Sequence, residues 1–186
     1  MASDHKLAEI EVAAMNQRTS SIVHALLLRQ QPAQSVATVL KAGAGGLLAI
    51  GLVAWPGGQS GHPLLMAPFG ATCVLLFSLP ASPLSQPVNV IAGHLVSTFI
   101  GLLLHTLLPD QWWSLGIAVG LAIAAMAALR VTHPPAGADP LVVFFENTGW
   151  DYLLFPVALG SAALVIIAWL FHRLPPQAVY PLPGKQ

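Results

Sequence analysis

The residues best suited to chemistry lie beside a phrase that the chain uses twice. Pro68-Phe69-Gly70-Ala71 leads an apolar run ending at Phe77, and Pro135-Ala136-Gly137-Ala138 leads one ending at Phe144, with a constant offset of 67 positions. Proline lacks an N–H and pushes the residue before it towards extended backbone, so a helix can begin just after each phrase. Glycine then lets backbone or ligand approach closely. Each phrase predicts a helix N-terminus within an apolar segment, where Gly70, Ala71, Gly137 and Ala138 offer backbone donors. Such ends carry partial positive charge and bind anions. Two in register point to a small-anion site. The plainer alternative is that the prolines kink packed membrane helices, where Gly and Pro are common.

Side chains near these breaks extend the candidate set. His133 precedes the second break and could carry a proton, present a cation to an anion, or orient the loop through a hydrogen bond. Asp139 could cap the following half-helix, which would block an anion and favour a cationic or zwitterionic solute, or it could carry a proton. Asn89, Ser97 and Thr98 stand at helical spacing around His94, so they form either a polar stripe facing the interior or an interhelical hydrogen-bonding set. Thr72 is the counterpart of Asp139 and could offer a hydroxyl to substrate or cap its helix. The candidate substrate-binding residues are therefore Gly70, Ala71, Thr72, Asn89, His94, His133, Gly137, Ala138 and Asp139. There is no His-Glu-x-x-His, P-loop, nucleophile elbow or paired Cys-x-x-Cys. No catalytic residue, metal ligand or cofactor is assigned, although a fold could gather His94 and His133.

Composition sets the medium in which these residues act. The chain is 55% hydrophobic and 8% charged, with a mean hydropathy of +0.72, whereas soluble domains carry about 25% charged residues. Most of its surface must face lipid. A formal net charge of zero leaves no footprint for nucleic acid. Cys73, inside an apolar run, reads as a small buried hydrophobe.

Helical spans need about 20 apolar residues, with a range of roughly 17–25. Residues 36–55, 88–108, 112–129 and 152–172 qualify, and the broken segments 63–79 and 131–145 are ambiguous. Basic residues accumulate on the cytoplasmic side. If both broken segments cross, Lys6, Arg18, Arg29, Lys41, Arg130, Arg173 and Lys185 share that side, with Asp110, Glu146 and Asp151 opposite. If neither crosses, Arg130 falls outside. Six crossings make each half an odd number of passes. The expected fold is an all-α membrane protein of two inverted three-segment repeats, about 36–108 and 112–172. Each repeat carries a Pro/Gly-broken half-helix, and the two meet near the midplane.

Residues 1–35 show no secretory signal. Leu7, Ile10, Ala14, Ile22, Leu26 and Leu27 suggest an amphipathic surface helix or a cytosolic cap. Residues 173–186 read as a proline-rich extended tail. Trp112, Trp113, Trp150 and Tyr152 suit an aromatic belt, and His62, His105 and His172 suit the membrane boundary. Gly43, Gly45, Gly46 and Gly51 suggest close helix packing.

Thr132-His133-Pro134-Pro135-Ala136-Gly137-Ala138 resembles the signature of the HPP family of integral membrane proteins. The stretch from Ser82 to Leu95, with Gln86-Pro87-Val88-Asn89 at its centre, resembles that family's second motif. The likeness covers roughly residues 35–172. It implies a multi-pass membrane protein, and plant-organelle and cyanobacterial relatives are associated with nitrite transport. Val88 stands where the family motif carries an arginine, and Asp139 stands where it carries a small or hydroxyl residue. Both departures bear on substrate charge. The resulting expectation is a non-enzymatic transporter for a small inorganic anion, nitrite foremost, with or without proton coupling. It would be a homo-oligomer in a bacterial plasma membrane with both termini cytoplasmic. A passive anion channel and a non-transporting subunit or sensor are the alternatives.

Overall fold

The computed structural model describes residues 24–60 and 64–184, with the side chains of 56–60 excepted. Contacts divide the chain into two units, Met1–Gln34 and Ser35–Gln186. The described part of the first includes one helical turn over residues 24–27, in which the Leu28 amide donates to the His24 carbonyl (3.0 Å). Most of the expected surface helix lies outside the described residues.

The second unit is built from helices: α1 (Val36–Ser60), α2 (Pro68–Ser78), α3 (Pro87–Leu107), α4 (Trp112–Ala128), α5 (Asp139–Glu146) and α6 (Leu159–Phe171). Among the described residues no element is a strand. A 3₁₀ turn, Pro134–Ala138, leads into α5, and α6 is entered through Trp150–Leu153 and a wide turn at Leu154–Ala158. Val36–Trp55, Pro87–Leu107 and Trp150–Phe171 are long and apolar enough to cross a membrane, and α4, at 17 residues, is at the short end of that range. At 1.5 Å per residue, α2 and α5 are only about 16 and 12 Å long, well short of the roughly 30 Å hydrocarbon core.

Local chemistry sets these boundaries. The Ser35 hydroxyl accepts the Thr38 amide (3.2 Å) and caps α1. Pro68 and Pro87 open α2 and α3, where a missing N–H costs nothing. Arg130 (φ 60°) and Asn147 (φ 50°) adopt the left-handed conformation that ends α4 and α5. Before Pro134, His133 is extended as expected (φ −133°, ψ 103°). Before Pro68, however, Ala67 is helical (φ −53°, ψ −41°), so a turn is already under way when the proline is reached.

Phe69, Leu76, Val157, Leu164 and Ala168 form the larger core, while Leu102, Ala118, Val143 and Phe144 form a smaller one. Large apolar side chains such as Leu40, Leu47, Leu121, Ile123 and Ile166 point outwards, as lipid contact requires. The Lys41 ammonium donates to the Leu174 and Pro176 carbonyls, which places the start of α1 and the end of α6 at one face. There the proline-rich tail is docked: Tyr180 is buried, and the Leu182 amide donates to Gln86 Oε1 (2.8 Å).

The glycine run of α1 packs at one position only. A methyl at Gly45 would collide with the Phe77 ring and lie 2.9 Å from Phe171 Cε1, whereas Gly43, Gly46 and Gly51 face open space. Helical phase separates them. Gly45→Val is expected to destabilise the fold by about 1–3 kcal/mol through overpacking, with Gly46→Ala close to wild type. Thermal melting in detergent compares the two.

Candidate functional site

Three elements converge on one fully buried polar chain. From α2 comes Thr72, from α3 His94, Ser97 and Thr98, and from the second break His133 and Asp139, all 0% exposed. Thr72 Oγ1 lies 2.9 Å from His94 Nε2 and 3.0 Å from His133 Nε2. His94 Nδ1 lies 2.8 Å from Asp139 Oδ2, to which the Thr98 hydroxyl also donates (3.1 Å). At the far end His133 Nδ1 donates to the Leu84 carbonyl (2.8 Å). The two imidazole centroids are 5.0 Å apart, and Phe69 meets His94 edge-on.

Backbone contacts hold this arrangement. The Ser97 hydroxyl donates to the Ala136 carbonyl (2.6 Å), and Asn89 Nδ2 donates to the Thr132 carbonyl (3.0 Å). Gly93 lets α3 approach so closely that an added methyl would lie 2.7 Å from His133 Cβ and 3.0 Å from the Val131 carbonyl oxygen. Glycine is required there for space.

Several expected roles are corrected by this geometry. Asp139 does not cap α5: Ala138 holds the cap position, and the Asp139 side chain turns to His94 and Thr98. Thr72 likewise reaches both histidines and, more weakly, the Pro68 carbonyl (3.3 Å). Gly70 and Ala71 face outwards. The Phe69 and Gly70 amides donate to Met66 and Ala67, because the turn before Pro68 uses these first donors. In the second break the Asp139 amide donates to Ala136, and Gly137 and Ala138 are half-buried. Asn89 binds backbone near the chain without joining it. His172 is buried, 2.8 Å from the Leu76 carbonyl. His105 Nε2 lies 3.2 Å from Asp110 Oδ1, and His62 lies outside the described residues.

Leu84 had no sequence signal, because its backbone carbonyl contributes and its side chain does not. Within this polar chain one atom is left over: Asp139 Oδ1 is buried with no hydrogen-bond partner. Among the described residues no group of three or more His, Cys, Asp or Glu side chains is arranged to hold a metal.

The 67-residue correspondence extends into three dimensions. Thr72 and its counterpart Asp139 bind opposite nitrogens of His94. Gly93 abuts the Val131 carbonyl, and its counterpart Gly160 abuts the Leu64 carbonyl, itself the counterpart of Val131. The His105 ring meets Phe144 (4.8 Å between centroids), and the counterpart His172 meets Phe77 (5.9 Å). An apolar groove of about 670 Å³ separates α2 from α5. Pro68, Ala71 and Val74 line one side, and their counterparts Pro135, Ala138 and Leu141 line the other.

Chemically, the buried chain joins two imidazoles, a hydroxyl and a carboxyl through consecutive hydrogen-bond contacts. A buried group of this kind is expensive in a membrane domain unless fully hydrogen-bonded.

The model of the HPP transmembrane region matches residues 31–181. A transmembrane protein of Dictyostelium discoideum is 32% identical over 126 residues, covering 63% of this chain and 40% of that protein. A second transmembrane protein of the same organism is 28% identical over 127 residues, covering 64% of this chain and 45% of its own length. The match thus spans less than half of either relative. No solved structure matches the chain.

Proposed function

Because the chain belongs to the HPP transmembrane family, we propose that this integral membrane protein transports a small inorganic anion, with nitrite the first candidate. The observation that carries this reading is the buried chain of Thr72, His94, His133 and Asp139 at the junction of two matching half-helices. Discontinuous helices in corresponding halves are the usual setting of a transporter's central site. The matching contacts of Gly93 with Val131 and Gly160 with Leu64, and of His105 with Phe144 and His172 with Phe77, support two three-segment repeats related by a two-fold axis, the second inverted.

In this reading the anion is recognised by side chains. The first amides of α2 are already bonded, so attraction of the anion falls to the positive charge that a histidine of the buried chain carries when protonated. The groove between Pro68 and Pro135 is lined by apolar side chains, and in this reading a parting of α2 from α5 would open the polar chain to it. Lys41 and Arg173, near one another at a single face, support both ends of the helical unit lying on the cytoplasmic side of the membrane. The open positions Gly43 and Gly46 suit association of copies through close helix contact.

A second reading rests on Asp139. Its unpartnered Oδ1 offers an acceptor, which suits a cationic or zwitterionic solute.

The deciding experiment is nitrite uptake into proteoliposomes, wild type against Gly137→Leu, with and without a pH gradient. A Cβ at Gly137 meets nothing within 4 Å, so this variant should fold. Saturable uptake that responds to the gradient and falls at least tenfold in Gly137→Leu is the expected result. Non-saturating uptake indifferent to the gradient would indicate a passive channel. No uptake by folded protein rejects nitrite and turns the search to cationic and zwitterionic solutes.

A further inference from the structure

We infer that Leu84, His133, Thr72, His94 and Asp139 form a proton relay that holds one transferable proton. It passes that proton between Asp139 and His133 without moving a heavy atom. This deepens the transport reading by naming the proton as the coupled ion, and rests on that reading only for its use in transport.

The inference follows from counting hydrogens. The chain has four links: Leu84 O to His133 Nδ1, His133 Nε2 to Thr72 Oγ1, Thr72 Oγ1 to His94 Nε2, and His94 Nδ1 to Asp139 Oδ2. Each link needs one hydrogen between its two heavy atoms. A carbonyl only accepts, so His133 Nδ1 carries hydrogen. Thr72 has a single hydroxyl hydrogen and can donate to only one histidine. Two neutral imidazoles, the hydroxyl and an ionised Asp139 supply three hydrogens for four links. Two lone pairs then face each other at about hydrogen-bond distance, in a site with no water exposure to relieve them. One added proton closes every link.

That proton has three balanced positions. With Asp139 as the neutral acid, Oδ2–H donates to His94 Nδ1, His94 Nε2–H donates to Thr72, and Thr72 donates to His133 Nε2. Transfer from Oδ2 to Nδ1 breaks the O–H bond and forms an N–H bond, leaving a carboxylate beside a His94 imidazolium. A paired transfer then moves the His94 Nε2 proton to Thr72 Oγ1 while the Thr72 proton moves to His133 Nε2. Positive charge now rests on His133, and His94 is neutral. The chain is neutral overall in all three, and every link stays filled.

Both repeated motifs contribute: Thr72 belongs to the first and His133 and Asp139 to the second, with His94 between the counterparts Thr72 and Asp139. Asp139 Oδ1, buried and unpartnered, is the atom at which an incoming donor meets the relay. The other ionisable group in electrostatic reach of Asp139 is Tyr152, on which Glu146 also bears. Thr98 and Ser97 of α3 add only hydroxyls, and Phe69 of α2 adds a ring edge.

The test is spectroscopic and uses the full chain in lipid at neutral pH without nitrite. Nitrogen NMR of labelled histidine reads the charge and tautomer of each ring, and infrared absorption of the carboxyl carbonyl reads Asp139. One proton is expected in the set, as a neutral acid with two neutral imidazoles or as a carboxylate with one imidazolium. A carboxylate with two neutral imidazoles, or two imidazoliums, overturns the inference. In Asp139→Asn the amide can donate to His94 Nδ1 and close the chain permanently, so both histidines should be neutral and any acid carbonyl band should be lost. An imidazolium surviving there at neutral pH counts against the relay. Thr72→Ser should reproduce the wild-type spectra, while Thr72→Val should make the two histidines respond to pH independently. Coupled responses in folded Thr72→Val would overturn the relay. Should that variant not fold, the wild-type count and Asp139→Asn decide the matter. Failure of nitrite uptake with an intact proton count would dismiss the anion and leave the relay standing.

Discussion

His94→Leu is expected to lower stability by about 1–3 kcal/mol for each of the two buried partners it leaves without its hydrogen bond. His94 bonds both Thr72 and Asp139, on opposite ring nitrogens. Leucine fills much of the space and serves neither partner. Asp139 would keep only the Thr98 hydroxyl, with Oδ1 already unpartnered. Against a typical folding stability of about 5–15 kcal/mol, that loss should lower the yield of folded protein and shift the denaturant midpoint strongly. His94→Gln, which can still reach one partner, should fall between leucine and wild type. Fluorescence of the five tryptophans during unfolding in detergent gives the midpoints. Equal midpoints for His94→Leu and wild type would mean that the buried chain does not hold the helices together.

Gly93→Val and Gly160→Val should each destabilise by about 1–3 kcal/mol or more through overpacking, with Gly160→Val the worse. At Gly160 even a first methyl would lie 2.5 Å from the Leu64 carbonyl oxygen and collide with the Phe69 ring. Backbone oxygen cannot swing aside as a side-chain tip can. At Gly93 the same methyl meets the Val131 carbonyl oxygen at 3.0 Å and His133 Cβ at 2.7 Å. The two positions are counterparts, so parallel losses of stability would show that both halves use one packing device. Gly93→Val should also disturb His133, and the histidine NMR signals would register it. A normal melting temperature for either variant would contradict the close approach.

Much of this was legible in the sequence, for identifiable reasons. Proline and glycine act on their own backbone, so Pro68 and Pro135 announced interrupted helices before any packing was known. The offset of 67 was visible as text and reappears as contacts between counterparts. Polarity alone drew notice to His94, His133, Thr72 and Asp139, since such residues are conspicuous in an apolar chain. What failed was direction. Asp139 is the first helical residue of α5 rather than its cap, and that single step of phase turns its carboxylate from backbone amides to His94. The same kind of step separates Gly45, packed on Phe77 and Phe171, from Gly43 and Gly46 beside it. Free donors at Gly70 were expected from the proline rule, but Ala67 adopts a helical conformation despite it. The Leu84 carbonyl was invisible because any residue could supply it.

The docked tail bears on how the protein can be handled. Leu174 and Pro176 receive the Lys41 ammonium, Tyr180 is buried beside His172, and the Leu182 amide is held by Gln86. A fluorescent or affinity fusion joined at residue 174 would strip the cover from His172 and leave Gln86 Oε1 without its donor from the tail. The same fusion joined beyond Leu182 leaves every one of those contacts in place. Reporter assays of topology or expression that cut the chain near the end of α6 would therefore be reading a damaged molecule.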